Sequence, residues 1–323
     1  LRSRGLGDVY KRQKIGFFAP RSHRVVDCEN CILQPPIFAD IVKIFRKFII
    51  KNGITVYDSE KHTGLLRHIY LRLAEATGEV MVCAVINGED LPHKNELIEK
   101  LTEIPSVKSI VLNINRDRTN VILGKECVTV WGNDCIYDVL CGVKVRLSPL
   151  SFYQVNHDMA QQLYEKAAEY ACLSGKETVL DMYCGTGTIG LSMAKKAKRI
   201  IGAEIVPEAV LDAKRNALEN GIENAEFICA DAGEAAQELS SRGIKPDVVL
   251  LDPPRKGCSE MLLAEIVKMS PERIVYVSCD PSTLARDCFR LKDPGYETKR
   301  LAAADLFPRT VHVESVALLT KQK

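Results

Sequence analysis

Cys279 and Glu314 are the residues of this sequence whose types suit covalent chemistry, and a glycine-rich stretch ahead of them indicates what they act with. Val179-Leu-Asp-Met-Tyr-Cys-Gly-Thr-Gly-Thr-Ile-Gly190 is a short apolar strand pattern that ends in G-x-G-x-x-G, with Gly185, Gly187 and Gly190. Such a turn lets backbone N–H groups and a helix N-terminus approach a ligand closely. Glu204 closes the next strand pattern, RIIGAE, where an acid receives ribose hydroxyls in nucleotide-binding βαβ units. Asp181 lies inside the strand end. A carboxylate there would repel a pyrophosphate but would suit a ligand with a sulfonium and an amino group. The set points to S-adenosylmethionine rather than NAD.

Ser278-Cys279-Asp280-Pro281 follows another strand pattern, RIVYVS. Pro281 fits the first position of a helix, whose N-terminus is expected to stabilise a thiolate at Cys279. The bland alternative is a buried cysteine at a strand end. A thiolate beside a methyl donor suggests nucleophilic catalysis. Pyrimidine C5 is a poor carbon nucleophile, and thiolate addition at C6 makes an enolate that is nucleophilic at C5. After methyl transfer, C5 carries the methyl group and its original hydrogen, so a base must remove that proton before the thiolate leaves. Glu314 is the candidate base; otherwise it reads as an exposed edge-strand glutamate.

These residues need a frame that brings strand ends together. After Lys176, strand patterns TVLDMY, RIIGAE, EFICA, DVVLLD and RIVYVS alternate with helical patterns near 188–197, 207–220, 232–241, 259–269 and 281–290. That alternation predicts an α/β doubly wound, mostly parallel sheet. Two last strands near 296–302 and 311–319, with no helix between them, predict a terminal antiparallel hairpin at a sheet edge. Ligands of such sheets bind beyond the carboxyl ends of the strands. Asp252-Pro-Pro-Arg-Lys-Gly257 and the segment Asp305-Leu-Phe-Pro-Arg-Thr-Val-His-Val-Glu314 also fall there, and Phe152-Tyr-Gln-Val-Asn156 precedes the domain.

Upstream, residues 14–150 mix short strands with two helical patterns and predict a smaller α+β domain ahead of a methyltransferase domain at 151–323. PIFADIVKIFRKFIIK has helical apolar spacing, with Pro at its start and Asn52-Gly53 at its stop. Arg67-His68-x-Tyr70-x-Arg72 puts His68, Tyr70 and Arg72 on one strand face, and a basic, aromatic strand face is a candidate RNA platform. Residues 1–13 lack apolar periodicity and read as a non-native or ragged segment outside the fold.

The net charge of +2 means that any nucleic-acid contact must come from local basic clusters. No apolar run is long enough for a bilayer and no signal-peptide pattern opens the chain, so a cytoplasmic location is expected; a monomer is expected as well. The 12 cysteines of such a protein read mostly as reduced, buried small residues.

FYQVN, DMYCGTGTIG, DPPRKGC, SCDPSTLARD and DLFPRTVHVE together resemble the RNA uracil-5-methyltransferase family, from about Lys14 to the C-terminus. The resemblance implies a class I methyltransferase fold, S-adenosylmethionine as cofactor, an RNA partner and 5-methyluridine as product. It is closest to the 23S ribosomal RNA branch, with transfer RNA as the alternative substrate. By position it implies that Cys279 is the nucleophile and Glu314 the base. Gln154, Tyr183, Thr188, Glu204, Asp231 and Asp252 match cofactor-contacting positions, with Asp181, Gly185 and Gly187 shaping the same pocket. Thr188 and Asp280 both stand where relatives often have Asn.

Bacterial members of the ribosomal branch carry a [4Fe–4S] cluster, and Cys31 in DCENCILQPP matches its downstream fourth ligand. Cys28 is read as a bystander. The other three ligands and a small β-barrel RNA-binding domain would lie upstream of this sequence, which reads as an N-terminally truncated copy expected to lack the cluster. Three rivals remain: a base or amide N-methyltransferase, which gives Cys279 and Glu314 no task; an NAD(P) oxidoreductase, disfavoured by Asp181; and an RNA-binding chain without activity.

Overall fold

In the computed structural model, which describes residues 3–7 and 14–322, the chain divides into two compact units. One comprises Leu1–Asp138 with Leu147–Leu150, the other Val139–Arg146 with Ser151–Lys323. Residues 139–146, which the sequence placed in the first domain, thus belong to the second unit. They form the tip of a hairpin between β8 (Ile136–Leu140) and β9 (Val143–Leu147). Cys141 and Gly142 turn that tip with φ of 51° and 75°, the left-handed pair that a two-residue hairpin requires. The buried ion pair of Arg146 with Asp212, at 3.0 Å, and the Arg146 N–H donated to Asn216 hold it in the second unit.

The first unit is built on a helix whose apolar residues recur every three to four positions. In α1 (Pro36–Asn52), Phe38, Ile41, Val42, Phe45, Phe48 and Ile49 are buried. Proline starts the helix, and Gly53 closes it in the left-handed region at φ 60°. This face packs on a sheet of order β3-β2-β1-β4-β5-β6-β7. Its strands are β1 (Ser3–Gly7), β2 (Lys14–Phe18), β3 (Val25–Asp27), β4 (Leu66–Leu73), β5 (Val80–Ile86), β6 (Val107–Ile114) and β7 (Glu126–Gly132). Helix α2 (Lys94–Thr102) connects β5 to β6, the one parallel pair among these strands. Ser3–Gly7 pairs with both β2 and β4, so part of the segment that the sequence excluded from the fold is a strand. Ladder hydrogen bonds need only backbone, which explains why apolar periodicity did not reveal it. Residues 1, 2, 8–13 and 323 lie outside the described residues.

The expected basic platform on β4 is overturned. Tyr70 and Arg72 are buried, and the Arg72 guanidinium donates to the Tyr70 hydroxyl at 3.0 Å. Burial, then the charge of Arg67, push the His68 imidazole down to about 4, which leaves it neutral. Arg67 is also buried. It donates to the carbonyls of Asn115 (2.7 Å) and Asp117 (2.9 Å), and its guanidinium lies 4.2 Å from the centre of the Tyr57 ring. These side chains hold strand and loop together instead of facing a phosphate backbone.

The second unit has sheet order β12-β11-β10-β13-β14-β16-β15. Its strands are β10 (Thr178–Met182), β11 (Arg199–Glu204), β12 (Ala225–Cys229), β13 (Val248–Leu251), β14 (Arg273–Ser278), β15 (Tyr296–Ala304) and β16 (Glu314–Lys321). The first five are parallel and the last two form the expected antiparallel hairpin, with β16 inside and β15 at the edge. The parallel strands are apolar runs because helices cover both faces of such sheets. The helices are α3 (His157–Ala171), α4 (Thr188–Met193), α5 (Pro207–Glu219), α6 (Ala232–Ser241), α7 (Glu260–Met269) and α8 (Pro281–Lys292). Helix α4 is shorter than its sequence pattern because residues 194–196 tighten into a 3-10 turn. From β10 the chain winds first to β11 and β12, then crosses to β13 and β14. The resulting reversal beside β10 is where open α/β sheets bind ligands. No described helix is long and apolar enough to cross a membrane.

Removing the Arg67 side chain orphans the carbonyls of residues 115 and 117. Arg67→Ala is expected to cost about 2–4 kcal/mol in urea unfolding, whereas the exposed Arg118→Ala stays within about 0.5 kcal/mol. Near-equal stabilities of the two variants would return Arg67 to the list of RNA contacts.

Candidate functional site

The motifs converge at the carboxyl ends of β10 to β14, all within the second unit. Asp181, on β10, is buried and accepts the Gly190 N–H at 2.9 Å. A Cβ on Gly190 would stand 2.7 Å from that carboxylate oxygen, so this close approach requires glycine. Gly185 and Gly187 take φ of 54° and 81°. The Gly185 N–H goes to Glu204 Oε2 at 3.1 Å, and Glu204 Oε1 accepts the Val206 N–H at 2.9 Å. Each Glu204 oxygen keeps lone-pair capacity for a hydroxyl. Asn216, which anchors Arg146, also donates to the Thr186 carbonyl at 3.0 Å and steadies the turn from beneath.

The remaining predicted contacts surround this turn. Thr188, buried at the start of α4, lies with its hydroxyl 3.1 Å from that of Thr186. Tyr183 follows β10 at φ 67°, an uncommon conformation for a bulky residue. Its hydroxyl lies within electrostatic reach of Cys258 and Asp231. Asp231 follows β12 and caps α6, accepting the Gly233 N–H at 2.9 Å. The Gln154 side chain is near the buried Tyr164 hydroxyl, which lies within electrostatic reach of Asp252 and Asp181. Asn156 caps α3 and donates to the Leu306 carbonyl at 3.1 Å, joining the FYQVN segment to the loop before Glu314.

Cys279 and Glu314 face each other across a sheet ladder. Ser278 on β14 is the register partner of Ser315 on β16, so Cys279 and Glu314 are the next opposed positions, one step beyond the last pair. Glu314 is 4% exposed, not the edge-strand surface glutamate of the bland reading. Burial raises its carboxyl above the usual range, against the charge of Arg255. The Cys279 thiol is likewise pushed up, first by burial and then by Glu314 and Asp252, with Arg255 opposing. This corrects the expectation of a thiolate stabilised by the start of α8. The Asp280 carboxylate takes that place, accepting the N–H groups of Ser282 (2.8 Å) and Thr283 (3.3 Å). Burial, then Glu314 and Asp181, push Asp252 up to about 8; burial and Glu204 push Asp181 up to about 7, with the Gly190 bond opposing.

Sequence reasoning missed the role of Arg255. Exposed on the turn after β13, it is the cation whose charge reaches both Cys279 and Glu314, and its Nη2 lies 3.5 Å from His312 Nε2. Its place in DPPRKG was the available signal, but only the fold shows what the side chain faces. Cys28 and Cys31 lie in the first unit. Among the described residues, no group of three or more His, Cys, Asp or Glu side chains could hold a metal. The described cysteines therefore do not fit the four-thiolate set of a [4Fe–4S] site.

With this geometry in place, residues 142–322 match the family model for tRNA (uracil-5-)-methyltransferase. An uncharacterized RNA methyltransferase of Clostridium tetani is 48% identical over 98% of this chain and 69% of its own length. Another, from Halalkalibacterium halodurans, is 48% identical over 94% of this chain and 67% of its own. This chain belongs to the tRNA (uracil-5-)-methyltransferase family. A solved structure, the Pyrococcus abyssi tRNA (uracil-54, C5)-methyltransferase in complex with S-adenosyl-L-homocysteine, matches with TM-score 0.81 and 31% identity over 98% of this chain and 75% of that one.

The family's members are S-adenosylmethionine-dependent RNA methyltransferases, and the residues here fit that cofactor. The Asp181 carboxyl is enclosed, as a cationic ligand would need, and each Glu204 oxygen keeps the acceptor capacity that ribose hydroxyls would need.

Because Asp181 is raised to about 7, a bound cation must draw off its proton. S-adenosylmethionine affinity is therefore expected to rise with pH towards about 8, with net proton release near pH 7. Calorimetry in buffers of different ionisation enthalpy reads both. Asp181→Asn should remove most of the proton release, and Glu204→Ala should weaken binding by about 1–3 kcal/mol. Unchanged proton release in Asp181→Asn would assign the proton elsewhere.

Proposed function

We propose that this chain methylates C5 of a uridine in RNA through a covalent adduct between Cys279 and uracil C6. The observation that carries the reading is the opposition of Cys279 and Glu314 across the β14–β16 ladder, with Arg255 within electrostatic reach of both. A nucleophile and a proton acceptor on one sheet face can reach adjacent ring carbons of one base.

S-adenosylmethionine, when bound, supplies an electrophilic methyl group and leaves as a neutral thioether. Cys279 first loses its thiol proton to solvent, aided by the charge of Arg255. Its sulfur forms a bond to C6, and the C5–C6 π electrons move onto C5 and O4. C5 takes the methyl group. The Glu314 carboxylate then removes the remaining C5 proton, the C5–C6 double bond re-forms, and the C6–S bond breaks to return the thiolate. A target base inside a duplex must be flipped out to reach such a site.

Ribosomal RNA is the proposed substrate class, on the motif resemblance to the 23S branch. Transfer RNA is the second reading, favoured by the similarity to the Pyrococcus abyssi enzyme. Methylation of 23S fragments and of transfer RNA transcripts, with product mapping, separates the two. Low salt strengthens phosphate contacts and suits both assays.

The covalent step has a direct readout. Cys279→Ala should abolish methyl transfer and leave cofactor binding intact. Glu314→Gln should stall after methylation as a protein–RNA adduct that survives denaturing electrophoresis. A 5-fluorouridine substrate should trap the wild type in the same way, because fluorine cannot leave as a proton does. Near wild-type turnover by Cys279→Ala would sink the mechanism.

A further inference from the structure

Arg255 sits on a turn that is held from outside its own segment. The turn is closed by the Gly257 N–H donated to the Pro254 carbonyl at 2.8 Å. Helix α8 grips it on both sides. The Arg286 Nη2 donates to the Lys256 carbonyl at 2.8 Å, and the Cys258 N–H donates to Asp287 Oδ2 at 2.8 Å. Between those two bonds lies Gly257, at φ 75°. A Cβ there would stand 2.4 Å from Arg286 Nη2 and 2.6 Å from Asp287 Oδ2, so the helix and the turn touch with no space for a side chain.

Asp287 is the centre of this contact. It is fully buried, at 0% exposure. Its Oδ2 also accepts the Tyr276 hydroxyl at 2.7 Å, and its Oδ1 accepts the Arg286 Nε at 2.9 Å. The Cys258 thiol lies within electrostatic reach of Tyr276 and Tyr183. One carboxylate thus connects β14, α8 and the turn after β13.

We propose that Asp287 is a positioning residue for the reaction: with Arg286 it clamps the Pro254–Gly257 turn and holds the Arg255 guanidinium towards Cys279 and Glu314. The proposal rests on the reading of Cys279 and Glu314 as the reacting pair. The guanidinium is the positive charge that opposes burial at both groups. On a free turn, an exposed arginine would swing into solvent, where screening removes most of that effect.

The test is peptide-resolved alkylation of Cys279 by iodoacetamide as a function of pH, in the full 323-residue chain without RNA. Arg255→Gln sets the scale by raising the alkylation midpoint. Asp287→Asn is expected to raise it too, and to add nothing in the Arg255→Gln background. The sign discriminates: loss of a carboxylate charge acting through space would lower the midpoint, because a nearby like charge favours the protonated thiol. Arg286→Ala, at a half-exposed side chain, carries the same non-additive expectation if Asp287→Asn folds poorly.

In methylation assays, Asp287→Asn should lower kcat at least tenfold with S-adenosylmethionine affinity within twofold of wild type. A midpoint that is unchanged or lowered in folded Asp287→Asn overturns the clamp. Additive shifts with Arg255→Gln, or a wild-type midpoint in Arg255→Gln itself, overturn it as well. An active Cys279→Ala would instead overturn the reaction centre, and it is recognised separately because the midpoints are read without substrate.

Discussion

Desolvation of like charges is the constraint on which this site depends. Asp181, Asp252, Glu314 and Cys279 meet at the carboxyl ends of a parallel sheet, and burial is the largest influence raising each of them. Three carboxyl groups and a thiol that are poorly solvated and near one another do not all ionise readily without a compensating charge. Proton storage at Asp181 and Asp252 in the cofactor-free protein follows directly. On the proposed reading, a cationic cofactor supplies the missing charge beside Asp181, and Arg255 supplies it beside Cys279 and Glu314.

That division explains the distribution of backbone donors. The Gly190 N–H is committed to Asp181 and the start of α8 to Asp280, so neither is available to an anion or a thiolate. Beyond its own backbone N–H, Cys279 relies on a side-chain cation, and a side-chain cation is useful only where it is held. The burial of Asp287 and the lack of space at Gly257 give Arg255 a base that is rigid at its backbone while its head remains exposed.

The first unit shows the opposite use of arginine. Arg67 and Arg72 lie in the interior and donate to loop carbonyls and a tyrosine hydroxyl, so their charges stabilise a strand–loop junction. A guanidinium has five donors in a fixed fork, which suits it to collecting several carbonyls at once. Basic residues counted along a strand therefore overstate the charge that this unit shows to RNA.

The order and type of elements in the second unit were legible in the sequence, because apolar periodicity, prolines at helix starts and the glycine-rich turn are local signals. The same signals placed Asp181, Glu204, Asp231, Asp252 and Cys279 at strand ends, and the motif set was enough to indicate the family. The strand made by Ser3–Gly7 left no such signal, and neither did the transfer of residues 139–146 to the second unit. Tertiary structure alone decided that Glu314 is buried opposite Cys279, that the thiol is raised and not lowered, and that Asp287 reaches the Arg255 turn. Those outcomes depend on which side chains from distant segments share a volume and how much water they exclude, and a one-dimensional pattern contains neither quantity.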